Sequence, residues 1–507
     1  MVTEAYKNIT ADTGNLFMLR EILTILGLFA AGFIPLRLLK DRIDTVRELL
    51  LSFPLGLSIY STAGFLLLVS GVGFNMRGIL VIYVLLLAAV FILRNKEKRP
   101  SDTVLTIAGF MAAAVLSAIA CSGILSQYVT NDSVYYYSMY PSILVKDGVL
   151  SPALDKFLTD VGQTTAIVQS LPFMLGFDET FGIQHFLNFN FVLIFFRTLF
   201  DCTGVLKDRK GLRFMLSALG TLFLITSEPF LVLSKWVLSN VYFMDILFIL
   251  VIISLKAGKE ENISRDYAFV IILLTSMLTM CRMEGGVMVF VLALSLSVLP
   301  FGKRDMLILY GIPLAVMELT YYGTIYLKIG VDPLYSFLSI KTVLMMAGLI
   351  LVYFVYIIFI RERLDKGIVP LLLLIALSAG NLGLLAINHT RYIADIRAFI
   401  LNIRLGNGWG AFVIVMALYA VLFLADLIRS GGRGLSPEQF LPAALILTVF
   451  AVCFARGGVL AVRTSDSGNR VLMETVPFLV FSVYYRVLGM GKQDPGSAAL
   501  KALKGEE

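Results

Sequence analysis

Charge is scarce in this chain. Only 15% of its 507 residues are Asp, Glu, Lys or Arg, where soluble domains carry about 25%. With a mean hydropathy of +0.86, that shortage excludes a soluble globular protein and a disordered one. Cysteine is equally thin. Cys121, Cys202, Cys281 and Cys453 are scattered, each in or beside an apolar run, without a CxxC or a Cys/His spacing, which argues against a disulfide framework and a structural zinc site. The two histidines, His185 and His389, have no acid or thiol cluster around them. GxGxxG, Walker A and a soluble DxD-bearing domain are missing, so no nucleotide-binding motif is present. Low-complexity tracts and half-chain repeats are missing too, which weighs against a transporter built from inverted repeats.

What is abundant is apolar sequence, at 58% of residues. It falls in runs at about 16–35, 48–73, 78–93, 103–125, 184–200, 214–231, 238–255, 267–281, 286–301, 306–327, 340–360, 368–387, 411–428, 440–455 and 471–488. Several are shorter than the ~20 residues of a full span, so the expectation is an all-α polytopic membrane protein with about 13–15 transmembrane helices, in one domain over 1–507. The 267–301 stretch is interrupted by Arg282, Glu284, Gly285 and Gly286 and reads as two short helices or one broken one.

The loops set the expected orientation. Basic clusters occur at Arg37 to Arg47, Arg94 to Arg99, Lys207 to Arg213, Lys256 to Arg265, Lys303 and Arg304, Arg361 to Lys366, and Arg429 to Arg433. With fifteen passes they all fall on one side, giving it roughly 27 of the 42 Lys and Arg, so that side is cytoplasmic. The net charge of +7 therefore reports loops rather than a nucleic-acid partner. The N-terminus, which has no basic n-region, is expected as a short polar lead-in on the outside, and 489–507 as a short cytoplasmic tail. The absence of a signal peptide or retention tail favours a bacterial or archaeal plasma membrane.

The longest polar segment, 126–183, is the first large outer loop, and long loops are usually functional. Asp132 and Ser133 offer an N-cap to a helix whose tyrosines at 135, 136, 137 and 140 suit the membrane interface. Lys146-Asp147-Gly148 ends it, and a second surface helix is expected over 152–160. Its counterpart is the outer loop 388–410, with Arg391, Arg397 and Arg404. Asp132, next to a span at the outer interface, is placed either to cap that helix or to take a proton from an acceptor hydroxyl.

Asp132 after this span, Tyr136 and Pro141 in the helix, and Gly148 beyond it resemble the first outer loop of GT-C class glycosyltransferases, the polyprenyl-phosphate-sugar-dependent membrane enzymes. Arg282-Met283-Glu284-Gly285-Gly286 is similar to the Arg-x-Glu-Gly of their mid-chain helix break, and NRVLMETVPFLV at 469–480 to their last-span Arg…Pro pattern. The resemblance covers most of the chain. It implies that Asp132 is the base, that the acceptor oxygen attacks the anomeric carbon with inversion, and that polyprenyl phosphate leaves. The implied partners are a polyprenyl-phosphate-linked sugar donor, a lipid, glycan or protein acceptor, and membrane lipids. The family often has paired acids here. Asp132 stands between Asn131 and Ser133, so no cofactor is expected and a divalent metal is not indicated.

A leaving phosphate needs cations, and Arg is its fork-shaped partner. Arg282, Arg391, Arg456, Arg463 and Arg470 fall on the outer side against the basic bias. Arg282, Arg391 and Arg470 are the phosphate candidates, set against interfacial snorkelling and, for Arg470, an i,i+4 pair with Glu474. Arg282 and Glu284, two apart on a helix, are expected to face different ways and to need separate partners. Asp245, inside a span, is expected to face a cavity or to hold Lys235 or an arginine. Lys235, Glu284, His185 and Tyr136 complete the expected pocket. The rival readings are a transporter or flippase for a lipid-linked sugar, an O-antigen polymerase or ligase type, and a non-catalytic scaffold.

Overall fold

The computed structural model describes residues 14–39, 41–94, 102–122, 134–150, 162–177, 182–206, 208–235, 238–260, 262–330, 338–455 and 467–488. Among the described residues there are helices and turns and no strand. This is the outcome that hydrocarbon imposes, because a helix satisfies its own backbone hydrogen bonds. In chain order the helices are α1 (Gly14–Leu39), α2 (Thr45–Ser70), α3 (Met76–Leu93), α4 (Thr103–Cys121), α5 (Tyr140–Asp147), α6 (Thr164–Met174), α7 (Gly182–Cys202), α8 (Lys210–Ile225), α9 (Glu228–Ser234) and α10 (Ser239–Ala257). They continue with α11 (Arg265–Thr279), α12 (Gly285–Leu296), α13 (Lys303–Ile329), α14 (Ile340–Ile360), α15 (Lys366–Ile387), α16 (His389–Arg404), α17 (Gly410–Ser430), α18 (Pro437–Ala455), α19 (Ser467–Met473) and α20 (Val476–Val487).

Eleven of these are long and apolar enough to cross a membrane, and twelve if α8 and α9, bent by 63°, form one span. The chain is therefore a multi-pass α-helical membrane protein. The runs at 267–281, 286–301 and 471–488 become the shorter helices α11, α12 and α20. They pack in the same bundle but are too short to cross it from end to end.

One end of the bundle is basic. There Asp201 binds Arg47 and Lys256, and Asp266 accepts from the backbone N–H groups of Asp41, Arg42 and Ile43 at 3.1, 2.8 and 2.8 Å. Arg361 donates to the Ser297 and Leu299 carbonyls, and Arg486 pairs with Asp426 at 3.0 Å. Each ties together two consecutive passes or their neighbours, so the described parts of the expected basic loops do share one face.

The opposite end carries the site. Its outer-loop helix is not one regular α-helix. Tyr135–Met139 is a π-helical turn that runs into α5. Gly148, at φ +69°, ends α5 by donating to the Leu144 carbonyl, as only a residue tolerant of the left-handed region does freely. The tyrosines do not all face the interface. Tyr135 is 54% exposed, whereas Tyr137 and Tyr140 are buried. Residues 388–410 are mostly helix, as α16, rather than open loop.

The tightest crossing is between α1 and α2. A Cβ on Gly56 would press into the Leu28 carbonyl, and one on Gly32 into the Ser52 carbonyl. Small residues at such crossings let backbones touch, and packing drives helix association in lipid. Gly56→Val is expected to lower stability by about 1–3 kcal/mol through overpacking, read as a lower melting midpoint of the purified protein. An unchanged midpoint would show that the two backbones can separate freely.

Candidate functional site

The far end is floored by chain breaks. The first separates α11 from α12 at residues 280–284. Two glycines follow the charged pair, and both are needed sterically. A Cβ on Gly285 would stand 2.5 Å from the Leu278 carbonyl oxygen, and one on Gly286 2.5 Å from the Glu318 carboxylate. The second is the entry to α6. The N–H groups of Gln163 and Thr164 donate to the Met280 carbonyl at 2.8 and 3.0 Å, and the Thr164 hydroxyl donates to the Met277 carbonyl at 2.9 Å. Those bonds satisfy carbonyls left open at the end of α11. Gly162, at φ +79°, makes the approach possible, because a Cβ there would meet the Arg282 backbone nitrogen at 2.6 Å. The other breaks are those between α9 and α10 and between α19 and α20.

These breaks bring charge together inside the bundle. Arg282 Nε donates to Glu284 Oε1 at 2.5 Å and lies 3.6 Å from Glu474 Oε1. Arg282 Nη1 donates to the Ser239 hydroxyl at 2.8 Å, and Asn240 Nδ2 donates to Glu474 Oε1 at 2.8 Å. The Ser239 N–H donates to the Tyr137 hydroxyl at 3.1 Å. Arg282 is 8% exposed, and Glu284 and Glu474 are 1% exposed each. One guanidinium thus bridges two carboxylates, a buried arrangement that holds only while all partners are present.

The cluster is recessed. α11, with 15 residues, and α12 and α20, with 12 each, extend about 22, 18 and 18 Å at 1.5 Å per residue. A hydrocarbon core is about 30 Å thick. Counted from the basic end, these helices are each shorter than that thickness, so their breaks lie inside the bundle rather than at its far surface. Two more acids sit near this level. Asp245 is about 18 Å from the basic end of α10, and Glu318 about 22 Å from that of α13, by the same rise. Asp245 is 0% exposed and Glu318 1%. Neither carboxyl has a hydrogen-bond partner among the described residues. Three residues beyond Glu318, Tyr321 accepts from Gln163 Nε2 at 2.7 Å, and Gln163 accepts from Tyr140 at 3.1 Å.

The expected site residues divide as follows. Asp132, Arg456, Arg463, the 152–160 helix, the N-terminal lead-in and the 489–507 tail lie outside the described residues. Glu284 and Arg282 are central, with one correction. They bind each other, with Ser239 and Glu474 as further partners of Arg282, because they sit in a turn, where the facing rule for a regular helix does not apply. Tyr136 is half-buried with its ring edge-on to Tyr137 at 6.1 Å, and it is Tyr137 that reaches Ser239. His185 is buried in the first turn of α7, one residue after Gln184, whose amide oxygen accepts from the Leu238 N–H at 3.3 Å. Lys235 is exposed at the end of α9 and makes no ion pair with Asp245. It ends the helix before the break, whereas Asp245 lies within the next one.

Arg391 lies on α16 and Arg470 on α19, four residues before Glu474. Arg391 Nη2 donates to the Phe454 carbonyl at 2.5 Å, and its guanidinium lies over the Phe454 ring at 5.0 Å. It makes no ion pair among the described residues, and its Nε is buried without a partner. One turn on, burial raises the Asp395 carboxyl above its ordinary range, against the pull of Arg391. Arg470 is 8% exposed on α19. Its neighbour Asn469 fixes that helix by accepting from Trp409 Nε1 at 2.6 Å and donating to the Asn407 carbonyl at 3.0 Å.

Sequence reasoning took Glu474 only as a mate for Arg470 and did not single out Ser239, Asn240, Tyr137 or Glu318. Glu318 had a signal, since it is the one acid within the 306–327 run, and an ionisable residue inside a span is a functional candidate by default. Among the described residues no three His, Cys, Asp or Glu side chains converge as a metal site would require. No protein-family model matches the chain, and comparisons with curated proteins and with solved structures give no match either.

Proposed function

We propose that the protein is a GT-C-like membrane glycosyltransferase that moves a sugar from a polyprenyl-phosphate donor to an acceptor at the far, extracytoplasmic end. The supporting observation is the recessed Arg282–Glu284–Glu474 cluster, a buried set of charges gathered at chain breaks inside an apolar bundle. In this reading Asp132 takes the acceptor hydroxyl proton. The acceptor oxygen forms the new bond to the anomeric carbon from the side opposite the phosphate. The carbon–oxygen bond to phosphate breaks, and polyprenyl phosphate leaves with the electron pair.

The same geometry redistributes the arginines. Arg282 already faces two carboxylates, which would repel an approaching phosphate, so it acts as a positioning residue. Arg391 makes no ion pair among the described residues, which makes it the better phosphate ligand, with Arg470 as the second candidate. Glu284, His185, Tyr136 and Asp245 belong to the pocket wall, and Lys235 to its rim.

The positive-inside rule assigns the basic end to the cytoplasm and supports a plasma-membrane setting with the N-terminus outside. A transporter of lipid-linked sugar is the second reading, favoured by Asp245 and Glu318 well inside the bundle, which have no hydrogen-bond partner among the described residues. Proteoliposomes containing a radiolabelled polyprenyl-phosphate sugar and candidate acceptors separate the two. The transferase releases polyprenyl phosphate as the label appears in acceptor. Movement of intact lipid-linked sugar between leaflets, with no release, would replace it by the transporter.

A further inference from the structure

We propose that the basic end holds an anionic phospholipid, with its phosphate on Arg47 and Arg197 and an acyl chain in the groove between α1, α2, α4 and α7. Neither group belongs to the far-end site, so the inference stands apart from the proposed transfer reaction.

The headgroup half is a cluster with more positive than negative charge. Asp201 receives Arg47 Nη2 at 2.8 Å and Lys256 Nζ, and Arg197 Nε lies 3.2 Å from it in a geometry that makes no hydrogen bond. Arg47 also binds Asp44. Three cations therefore meet two carboxylates. The Nε atoms of Arg47 and Arg197 are both buried and without a hydrogen-bond partner. Among these side chains one cation is in excess of the carboxylates, and a phosphodiester at headgroup level balances it. Basic pockets between helices at the cytoplasmic side are suited to such headgroups.

The chain half begins directly beside it. Leu50 lines both the small pocket holding Arg47, Arg197 and Lys256 and a neighbouring cavity of about 150 Å³. That cavity is walled by Phe29, Leu49, Gly109, Ala112 and Leu193, and its depth comes from the small residues of α4. An apolar slot that adjoins a basic cluster at Leu50 matches a lipid with one charged and one apolar end. A water-soluble anion would use only the first half.

The test is native mass spectrometry of the delipidated protein with phosphatidylglycerol or phosphatidylcholine of identical chains. Wild type is expected to retain phosphatidylglycerol about tenfold better, in line with one or two added cationic contacts. Arg197→Gln is expected to remove most of that preference. Ala112→Phe, at an exposed position of the slot, is expected to weaken retention of both lipids while leaving the melting midpoint unchanged. Equal retention of the two lipids by wild type would overturn the proposal, as would wild-type retention in both variants. So would displacement of phosphatidylglycerol by inorganic phosphate alone, since the slot would then contribute nothing.

Discussion

Arg282→Met is expected to destabilise the protein by about 3–5 kcal/mol, the cost of removing one partner from a buried charge cluster. The methionine fills similar space, so the loss is electrostatic. Glu284 and Glu474, 1% exposed each, would face one another without the guanidinium, and the Ser239 hydroxyl would lose its donor. The α11–α12 turn would also lose its guanidinium links to Ser239 and Glu474, keeping the Cys281 thiol on the Ser239 carbonyl. The triple variant Arg282→Met with Glu284→Gln and Glu474→Gln removes the uncompensated charges and should recover much of the loss. Melting followed by size-exclusion chromatography in detergent reads both. If the single variant melts with wild type, the cluster is not the structural clasp that its geometry describes. If the triple variant is as unstable as the single one, the loss is one of packing rather than charge.

The polytopic fold was legible because its signal is local. Long apolar runs separated by basic loops leave hydrocarbon few structural choices, and the described helices follow those runs. The break at Arg282 to Gly286 was legible for the same reason, since charges and paired glycines interrupt an otherwise apolar stretch. Its chemistry was not, because Ser239, Asn240 and Glu474 reach Arg282 across gaps of sequence that no spacing rule spans. The facing rule misled for Arg282 and Glu284 because it presumes a helix, and the chain there is a turn. The contact of Tyr137 with Ser239 was not legible either, because the chain at Tyr135–Met139 is a π-helical turn, whose facing pattern differs from that of a regular helix. Glu318 was readable as a lone acid in its run. Its meaning appears only beside Gly286, where the absence of a side chain makes room for the carboxylate.

Asp132→Asn is expected to lower sugar transfer by about 10²–10⁴-fold, the range for loss of a general acid–base group. Asparagine caps a helix about as well as aspartate, so the variant is expected to keep the local fold while losing the carboxylate that the proposed reaction uses as base. The π-helical turn and α5 are themselves held by Tyr140 on Gln163 and by Tyr137 on Ser239. The measurement is transfer of radiolabelled sugar from polyprenyl phosphate in membranes containing equal amounts of wild type and Asp132→Asn. The account predicts release of polyprenyl phosphate in step with product for wild type, and the stated loss for the variant at unchanged expression and melting midpoint. Equal transfer by the two proteins would contradict the assignment of Asp132, and no transfer by either from any polyprenyl-phosphate sugar would contradict the transferase itself.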